Sequence, residues 1–560
     1  MQTVRPGRLR VLFALFAVAS IVLSGRLVYW QPAGRAHLLA GANDQLRSDL
    51  VVAAQRGVVR DRNGAILATT IKLRSLYAVP ARVPDHAGVA RSLGILLGRD
   101  PAPIRAALDS NADWLYVQRW LPEETAQAIA ALNIPGLGFQ NEAKRLYPND
   151  AIGAALLGFV NDNGDGIYGV EGRYDAALRG VDGRLVVERD PANRQLALGL
   201  REVVPARDGA DLTLTIDLVA QTAAERELAA AMKKERAASG SIIVMDPRDG
   251  SVLAIASAPS FDPSAIRLAD PEALRDRALA WTYEPGSTMK AMTVAAGLNE
   301  HVVRPTDSYN DVGYAIVGGR RLNNALGRAY GPTTVSQVLE RSLNAGAAWV
   351  GQKLGATRLD DYLHRFGFGQ PTGIDLAGEV GGTVRPLAEW YPVDVGTASF
   401  GQGVSVTPIQ LAAAYSAIAN GGTLYRPYVV ASRRDADGEH RTAPVAVRQV
   451  VTPETASVVR SMLLSTVDIG IAHNAAIAGF GIAGKTGTAQ IASPDGTYVD
   501  DQYVSSFAAF FPAEDPKYVV LIVLERPESR LLGTLTATDM FKGVAQDILR
   551  YARIQPVRKP

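Results

Sequence analysis

One stretch of this chain is apolar enough to lie in a membrane, and it comes at the start, so nearly everything after it must fold in water. Arg5, Arg8 and Arg10 are followed by Val11 to Leu23 without a single charge. Continuing through Arg26 to Tyr29 and Trp30 gives the roughly 20 residues that cross a bilayer, provided Arg26 snorkels and the two aromatics rest at the interface. A cleavable signal peptide is disfavoured, because the small-residue match Ala17-Val18-Ala19 would be cut inside the apolar core. The segment therefore reads as an uncleaved signal anchor, with residues 1–10 as a cytoplasmic tail and 11–30 as the span. The basic residues stay inside, which places the bulk of the chain on the far side of the membrane.

That exported part is large. At 560 residues the length favours two to four domains, and 47% hydrophobic with 20% charged residues is enough apolar material for sizeable cores. The 58 basic and 56 acidic side chains nearly cancel, so no nucleic-acid surface is expected. The absence of cysteine excludes disulfides, thiolate metal sites, cysteine nucleophiles and a lipidated cysteine. Six scattered histidines form no i,i+4 pair, and no serine sits in a G-x-S-x-G elbow. Neither a metal nor a cofactor is expected.

Patterning suggests two exported modules. Val51 to Thr70 reads as a hairpin turning at Asp61-Arg62-Asn63-Gly64, Gly94 to Leu132 reads as mostly helical, and glycine is dense from Asp162 to Gly183. Residues 31–210 are thus predicted to form an elongated α+β pedestal. From Asp211 the text changes: a period-2 strand, an alanine-rich helix over 218–237, then strands over 240–246 and 251–256 around the turn Pro247-Arg248-Asp249-Gly250. This predicts an α+β domain over 211–555, an antiparallel sheet with helices on both faces, followed by a short tail at 556–560.

Three motifs in that domain carry chemistry. Ser287-Thr288-Met289-Lys290 is the one place where a lysine follows a serine by three positions. Glu284-Pro285-Gly286 punctuates the chain just before it, so Ser287 is expected at a helix N-terminus with the Lys290 amine on the same face. Ser342-Leu343-Asn344 follows at the end of a capped helix beginning near Thr333. Ser308-Tyr309-Asn310, in a polar loop, is the weaker alternative. Lys485-Thr486-Gly487-Thr488 lies on a predicted strand. Ser287 needs a base to become nucleophilic, and Lys290 can serve if burial and the nearby Lys485 cation keep it neutral. Ser342 can relay a proton to a leaving amine, and Asn344 can bond substrate and Lys290. The strand carrying Thr486, Gly487 and Thr488 offers an edge for an added peptide, with Lys485 and the threonine hydroxyls at its carboxylate. The backbone N–H groups of Ser287 and Thr488 are the natural oxyanion-hole donors.

The ordered triple S-x-x-K, S-x-N, K-T-G resembles the penicillin-binding serine acyltransferases, specifically the monofunctional class B transpeptidases of peptidoglycan synthesis. Arg56 to Gly64, Gly169 to Asp175, Met245-Asp246-Pro247 and Phe400 to Gln410 add to the likeness, which extends over about residues 10 to 550. Leu343 stands where many septal members carry serine, and Ala291 replaces a frequent proline. The resemblance implies D-Ala-D-Ala stem-peptide donors on lipid-linked glycan strands, an acyl-enzyme on Ser287 with release of D-alanine, and acylation of the same serine by β-lactams. It also implies a SEDS-family glycan polymerase as partner and a single-pass place in the bacterial cytoplasmic membrane. Glu284 to Thr288 and Gly25 to Gln31 look more like the division-specific, septal type than the cell-elongation type. A D,D-carboxypeptidase or a β-lactamase would share the triad but needs no such pedestal, and a non-catalytic β-lactam sensor would be favoured by a long cytoplasmic or multi-pass signalling portion, which a ten-residue tail does not offer.

Other residues have plainer readings. Glu171 and Arg173 are expected as a structural ion pair or a solvated one, Trp281 and Tyr283 as either cleft lining or core, and Tyr330 and Trp349 as core. Arg553, Arg558 and Lys559 read as a solvated basic tail.

Overall fold

The computed structural model describes residues 6–30, 47–188, 196, 201–493, 497–528 and 530–557. The basic tail beyond Val557 lies outside the described residues. Two compact units are present, one of Met1–Gln55 with Gly180–Gly209, the other of Arg56–Arg179 with Ala210–Pro560.

In the first unit, α1 (Pro6–Val28) is a single helix whose apolar window is nowhere buried, unlike a core helix of similar composition. Its 23 residues, at about 1.5 Å each, are long enough to cross a bilayer. The same unit holds a three-stranded antiparallel sheet of Arg47–Val52, Gly183–Glu188 and Arg201–Val204. Val51 and Val52, expected to open the hairpin, thus pair with Arg184 and Gly183 instead. The hairpin itself is shorter, with Val59 opposite Ala68 and Arg60 opposite Ile66 around a turn that ends on Gly64 at φ 91°.

The second unit begins with that hairpin. Its long strand Ile66–Ala78 pairs with Leu115–Leu121 and Leu137–Leu146. Three helices, His86–Leu97, Pro101–Leu108 and Glu123–Ala131, close a core of Leu76, Leu93, Ile104, Leu108, Leu121 and Ile129. The region expected to be mostly helical is therefore split by a strand. Trp114, Tyr116, Val117 and Trp120 make half of Trp114 to Leu121 aromatic or β-branched, and such residues favour a pleated surface over a helix.

The site rests on a five-stranded antiparallel sheet. Its strands are β1 (Ser239–Met245), β2 (Val252–Ala258), β3 (Ala483–Ala492), β4 (Tyr498–Phe511) and β5 (Tyr518–Glu525), in the order β2-β1-β5-β4-β3. Period-2 alternation sorts their side chains. Ile242, Val244, Phe507, Phe511, Ile522 and Leu524 face a core shared with α2 (Leu218–Glu235) and α7 (Arg530–Tyr551). Ile243, Met245, Phe510, Leu521 and Val523 face the main core. There they meet α3 (Lys290–Asn299), α4 (Asn344–Leu354), α5 (Pro408–Ala419) and α6 (Pro453–Asp468). Helices on both faces, as the patterning implied, leave one edge strand, β3, beside α3. α2 starts where expected, its N-terminal N–H groups at Val219 and Ala220 bonded to the Asp217 carboxylate.

Candidate active site

Ser287 is held by a short 3-10 turn, Gly286–Met289, that runs directly into α3. A 3-10 turn eclipses residues i and i+3, stacking Lys290 over Ser287 more squarely than an α-turn would. Lys290 Nζ lies 2.9 Å from Ser287 Oγ. The turn is anchored from three sides. Tyr283 and Val406 exchange backbone hydrogen bonds, the Tyr415 hydroxyl donates to Thr288 O, and Gly286 N–H donates to Gly401 O. Gly401 has to be glycine: at φ 80° a Cβ there would sit 2.3 Å from the Gly286 carbonyl oxygen.

Ser342 and Asn344 occupy a turn between two helices. The first, Val335–Glu340, opens with a capping box between Thr334 and Gln337 and stops before Ser342, which takes φ 58°. That left-handed conformation, unusual for serine, turns its carbonyl toward Lys290, whose Nζ donates to Ser342 O at 2.7 Å and Oγ at 3.2 Å. Asn344 opens α4, and its amide donates to Asn323 O and not to Lys290. Behind the turn, Asn324 accepts from Ala345 N–H and donates to both oxygens of the buried Asp311 carboxylate. No local pattern marks these two residues as supports of the site. The alternative Ser308-Tyr309-Asn310 lies on a strand paired with Gly331–Thr334 and joins none of these hydrogen bonds.

The third motif completes the cluster. Lys485 Nζ, reaching in from β3, donates to Ser342 Oγ at 2.8 Å and to Thr486 O at 3.1 Å. Ser342 thus stands between two lysines, both wholly buried, while Ser287 keeps partial exposure. Burial pushes both amines down. Lys290 falls well below the usual lysine range, from burial first and the Lys485 charge second, and Lys485 falls to about 7 through burial. Further along β3, a Cβ on Gly487 would meet Ser506 Oγ at 2.3 Å and Thr288 Cγ2 at 2.9 Å, so glycine lets the strand close on the Ser287 turn. Thr486 is buried. Thr488 is half-buried, with its hydroxyl 3.0 Å from that of Thr534.

Glu284, just upstream of the nucleophile motif, accepts hydrogen bonds from Gly403 N–H and the Tyr498 hydroxyl, and burial raises its pKa. Trp281 and Tyr283 stack on each other at 5.1 Å and line a cavity of about 180 Å³ with Gln490 and Ile491, so they serve as packing and as wall. Trp349 stacks on Tyr309, but Tyr330, expected in the core, is 39% exposed over the Arg341 guanidinium. Glu171 is buried against Arg56 and Arg145, while its expected partner Arg173 is exposed.

Residues 240–548 match the family model for the penicillin-binding protein transpeptidase domain, and 51–214 that for the penicillin-binding protein dimerisation domain. Among curated proteins, the chain is 34% identical to Stage V sporulation protein D of Bacillus subtilis, over 98% of this chain and 86% of that one. It is 31% identical to the peptidoglycan D,D-transpeptidase FtsI of Escherichia coli, over 98% and 92%. Penicillin binding protein 3 of Mycobacterium tuberculosis, solved with ampicillin, superposes at a TM-score of 0.72 with 26% identity, covering 91% of this chain and 98% of that one. Penicillin Binding Protein 2X of Streptococcus thermophilus superposes at 0.75 with 25% identity, over 90% and 81%. With both domains matched in order and likeness over nearly its whole length, the chain belongs to the class B penicillin-binding proteins and is a transpeptidase.

Proposed function

We propose that this chain cross-links peptidoglycan stem peptides through an acyl-enzyme on Ser287, during cell division. The observation that carries this is Lys290 Nζ at 2.9 Å from Ser287 Oγ, in a pocket where two lysines are buried with no carboxylate among the described residues bonded to either. A neutral Lys290 takes the Ser287 proton as Oγ attacks the carbonyl of the penultimate D-alanine. The backbone N–H groups of Ser287 and Thr488 hold the resulting oxyanion. As the C–N bond breaks, Ser342 Oγ relays the proton held by Lys290 to the departing D-alanine amine, which returns Lys290 to its neutral form, and Lys485 steadies that hydroxyl. An amine of a second stem then attacks the ester, and Ser287 leaves with its proton restored. Thr488 and the edge of β3 align the donor beside Gly487, with Thr486 buried beneath. Asn344 reaches the substrate by giving up its bond to Asn323.

The division role is supported by the sequence of Glu284 to Thr288 and Gly25 to Gln31, which resembles the septal type. α1 anchors the protein in the cytoplasmic membrane, with both domains outside, beside a SEDS-family polymerase that supplies glycan. The deciding experiment is fluorescent penicillin labelling of wild type beside Ser287→Ala, chased over hours and mapped by peptide mass spectrometry. A long-lived adduct on the Ser287 peptide, absent from the variant, is expected. Rapid loss of label from wild type would point to a hydrolase, and no labelling of folded protein would end the catalytic assignment.

A further inference from the structure

Ser342 keeps its left-handed φ of 58° beside a helix end that cannot cap itself. Such a backbone persists only where its surroundings enforce it. The next residue, Leu343, is the N-cap of α4 and offers no side-chain acceptor to the first N–H groups of the helix. The cap comes from elsewhere in the chain. Asn324 Oδ1, 21 residues away, takes Ala345 N–H at 2.9 Å, the kind of bond that a serine or asparagine at the N-cap would make. Asn323, which ends the strand Arg320–Asn323, gives its carbonyl to the Asn344 amide at 3.0 Å. Two consecutive residues therefore grip the first two residues of α4.

An asparagine amide can present its oxygen or its NH2 group, and only the oxygen can cap a helix N-terminus. Asp311 decides which one faces α4. Its carboxylate, 1% exposed, has both oxygens 3.0 Å from Asn324 Nδ2 and also accepts from the N–H groups of Gly313 and Tyr330. A carboxylate accepts and does not donate, so a reversed Asn324 would set oxygen against oxygen there and NH2 against N–H at Ala345.

We propose that Asp311 and Asn324 are positioning residues for protonation of the leaving group. They hold the first turn of α4, and with it the left-handed Ser342, so that Ser342 Oγ stays between Lys290 and Lys485 once the substrate has drawn Asn344 away from Asn323. The inference rests on the transpeptidase reading above. Neither residue touches substrate or moves a proton.

The test uses full-length protein in detergent and two donors with the same acyl-D-alanyl group, an amide that releases D-alanine and a thioester that releases a thiolate. Acylation of Ser287 is followed in a single turnover by mass spectrometry. With either donor the bond from Ser287 Oγ to the carbonyl carbon forms and the Ser287 proton passes to Lys290. The amide's C–N bond breaks only as its nitrogen gains a proton through Ser342, whereas the thioester's C–S bond breaks with the electron pair leaving on sulfur. Asn324→Ala should slow the amide by about 30-fold and the thioester by no more than about threefold. That is short of the roughly 10²–10⁴-fold a proton donor supplies, because Ser342 is displaced and not removed. Asp311→Asn keeps the volume but lets the Asn324 amide reverse, and should slow the amide by about tenfold with the thioester near the wild-type rate. Equal slowing of the two donors overturns the proposal and leaves the pair as structural supports; so does an amide rate unchanged from wild type. Should Asn324→Ala fail to fold, the ratio of the two rates in Asp311→Asn decides. A wild type that takes neither donor sinks the acyl-enzyme reading itself. Rates are expressed per serine titrated by penicillin at long times, so partial unfolding lowers neither one.

Discussion

Two charged clusters are buried in the second unit, and they are built on opposite principles. Around Glu171, charges are matched. Its carboxylate, fully buried, takes Arg56 at 2.6 Å and Arg145 at 2.7 Å, and Arg56 reaches on to Asp175 while Arg145 donates to Gly57 O. Around Ser342, two lysines share one hydroxyl, and hydroxyl and carbonyl oxygens are their only bonded partners among the described residues. A compensated cluster ties the chain down: Glu171 fastens strand, loop and short helix of residues 56–175. An uncompensated like-charge pair costs stability and in exchange makes an amine that is neutral near pH 7, which is what activating a serine requires. Burial of charge by itself distinguishes nothing; the presence or absence of a counter-ion does.

The comparison breaks most visibly at Lys290. Lys290→Met keeps the volume and removes the base, so penicillin acylation should fall by about 10²–10⁴-fold. Its urea midpoint at pH 7 should be no lower than wild type, since no counter-ion is stranded. A variant that loses stability along with activity would mean that the pair holds the fold together as Glu171 does. Glu171→Ala should show the reverse pattern. Leaving the buried Arg145 without an acid among the described residues, and Arg56 with Asp175 alone, costs about 3–5 kcal/mol in urea unfolding, while acylation per folded molecule stays at the wild-type rate.

The smaller third effect is a dependence on pH. In the unfolded chain Lys485 holds its proton to about pH 10.4, whereas in the fold it releases it near 7. Between those values the unfolded state binds more protons, so stability rises with pH through this window, by about 1.4 kcal/mol per unit for one released proton. Urea unfolding from pH 7 to 9.5 should show wild type gaining on Lys485→Met by up to that slope. Subtracting the variant cancels the tyrosines and carboxylates common to both. Parallel curves would mean that Lys485 stays protonated in the fold.

How legible these features were follows from how local they are. Ser287 with Lys290, and the run Lys485 to Thr488, depend on one turn and one strand, so a short motif specifies each. The strands flanking Pro247 to Gly250 and the helix after Asp217 follow from period and capping. Partners set by topology could not be read. Glu171 finds Arg56 and Arg145 only because the strand Leu137–Leu146 and the hairpin converge on its helix. Asn324 reaches Ala345, and Glu284 reaches Tyr498, across loops that no pattern links. The strand Leu115–Leu121 was hidden because helical spacing on either side of it ran through the window. The S-x-N motif offers Asn344 as a partner of Lys290, but the left-handed φ of Ser342 turns a carbonyl there instead.

The finest test lies two residues from Glu171. Arg173 shares the short helix Gly169–Arg173, yet its side chain is exposed, with its guanidinium over the Tyr174 ring at 5.9 Å. An exposed cation at that distance from a ring contributes a fraction of a kcal/mol at most, so Arg173→Ala should move urea stability by no more than about 0.5 kcal/mol. Set beside Glu171→Ala in the same background, it separates the charge that is buried and paired from the charge that is merely adjacent. A loss approaching that of Glu171→Ala would extend the matched cluster out to the helix surface, and the contrast with the two lysines would then rest on the number of charges gathered and not on their sign. A null result leaves the sign, and the buried counter-ion it supplies, as the property that divides a cluster built to hold from one built to react.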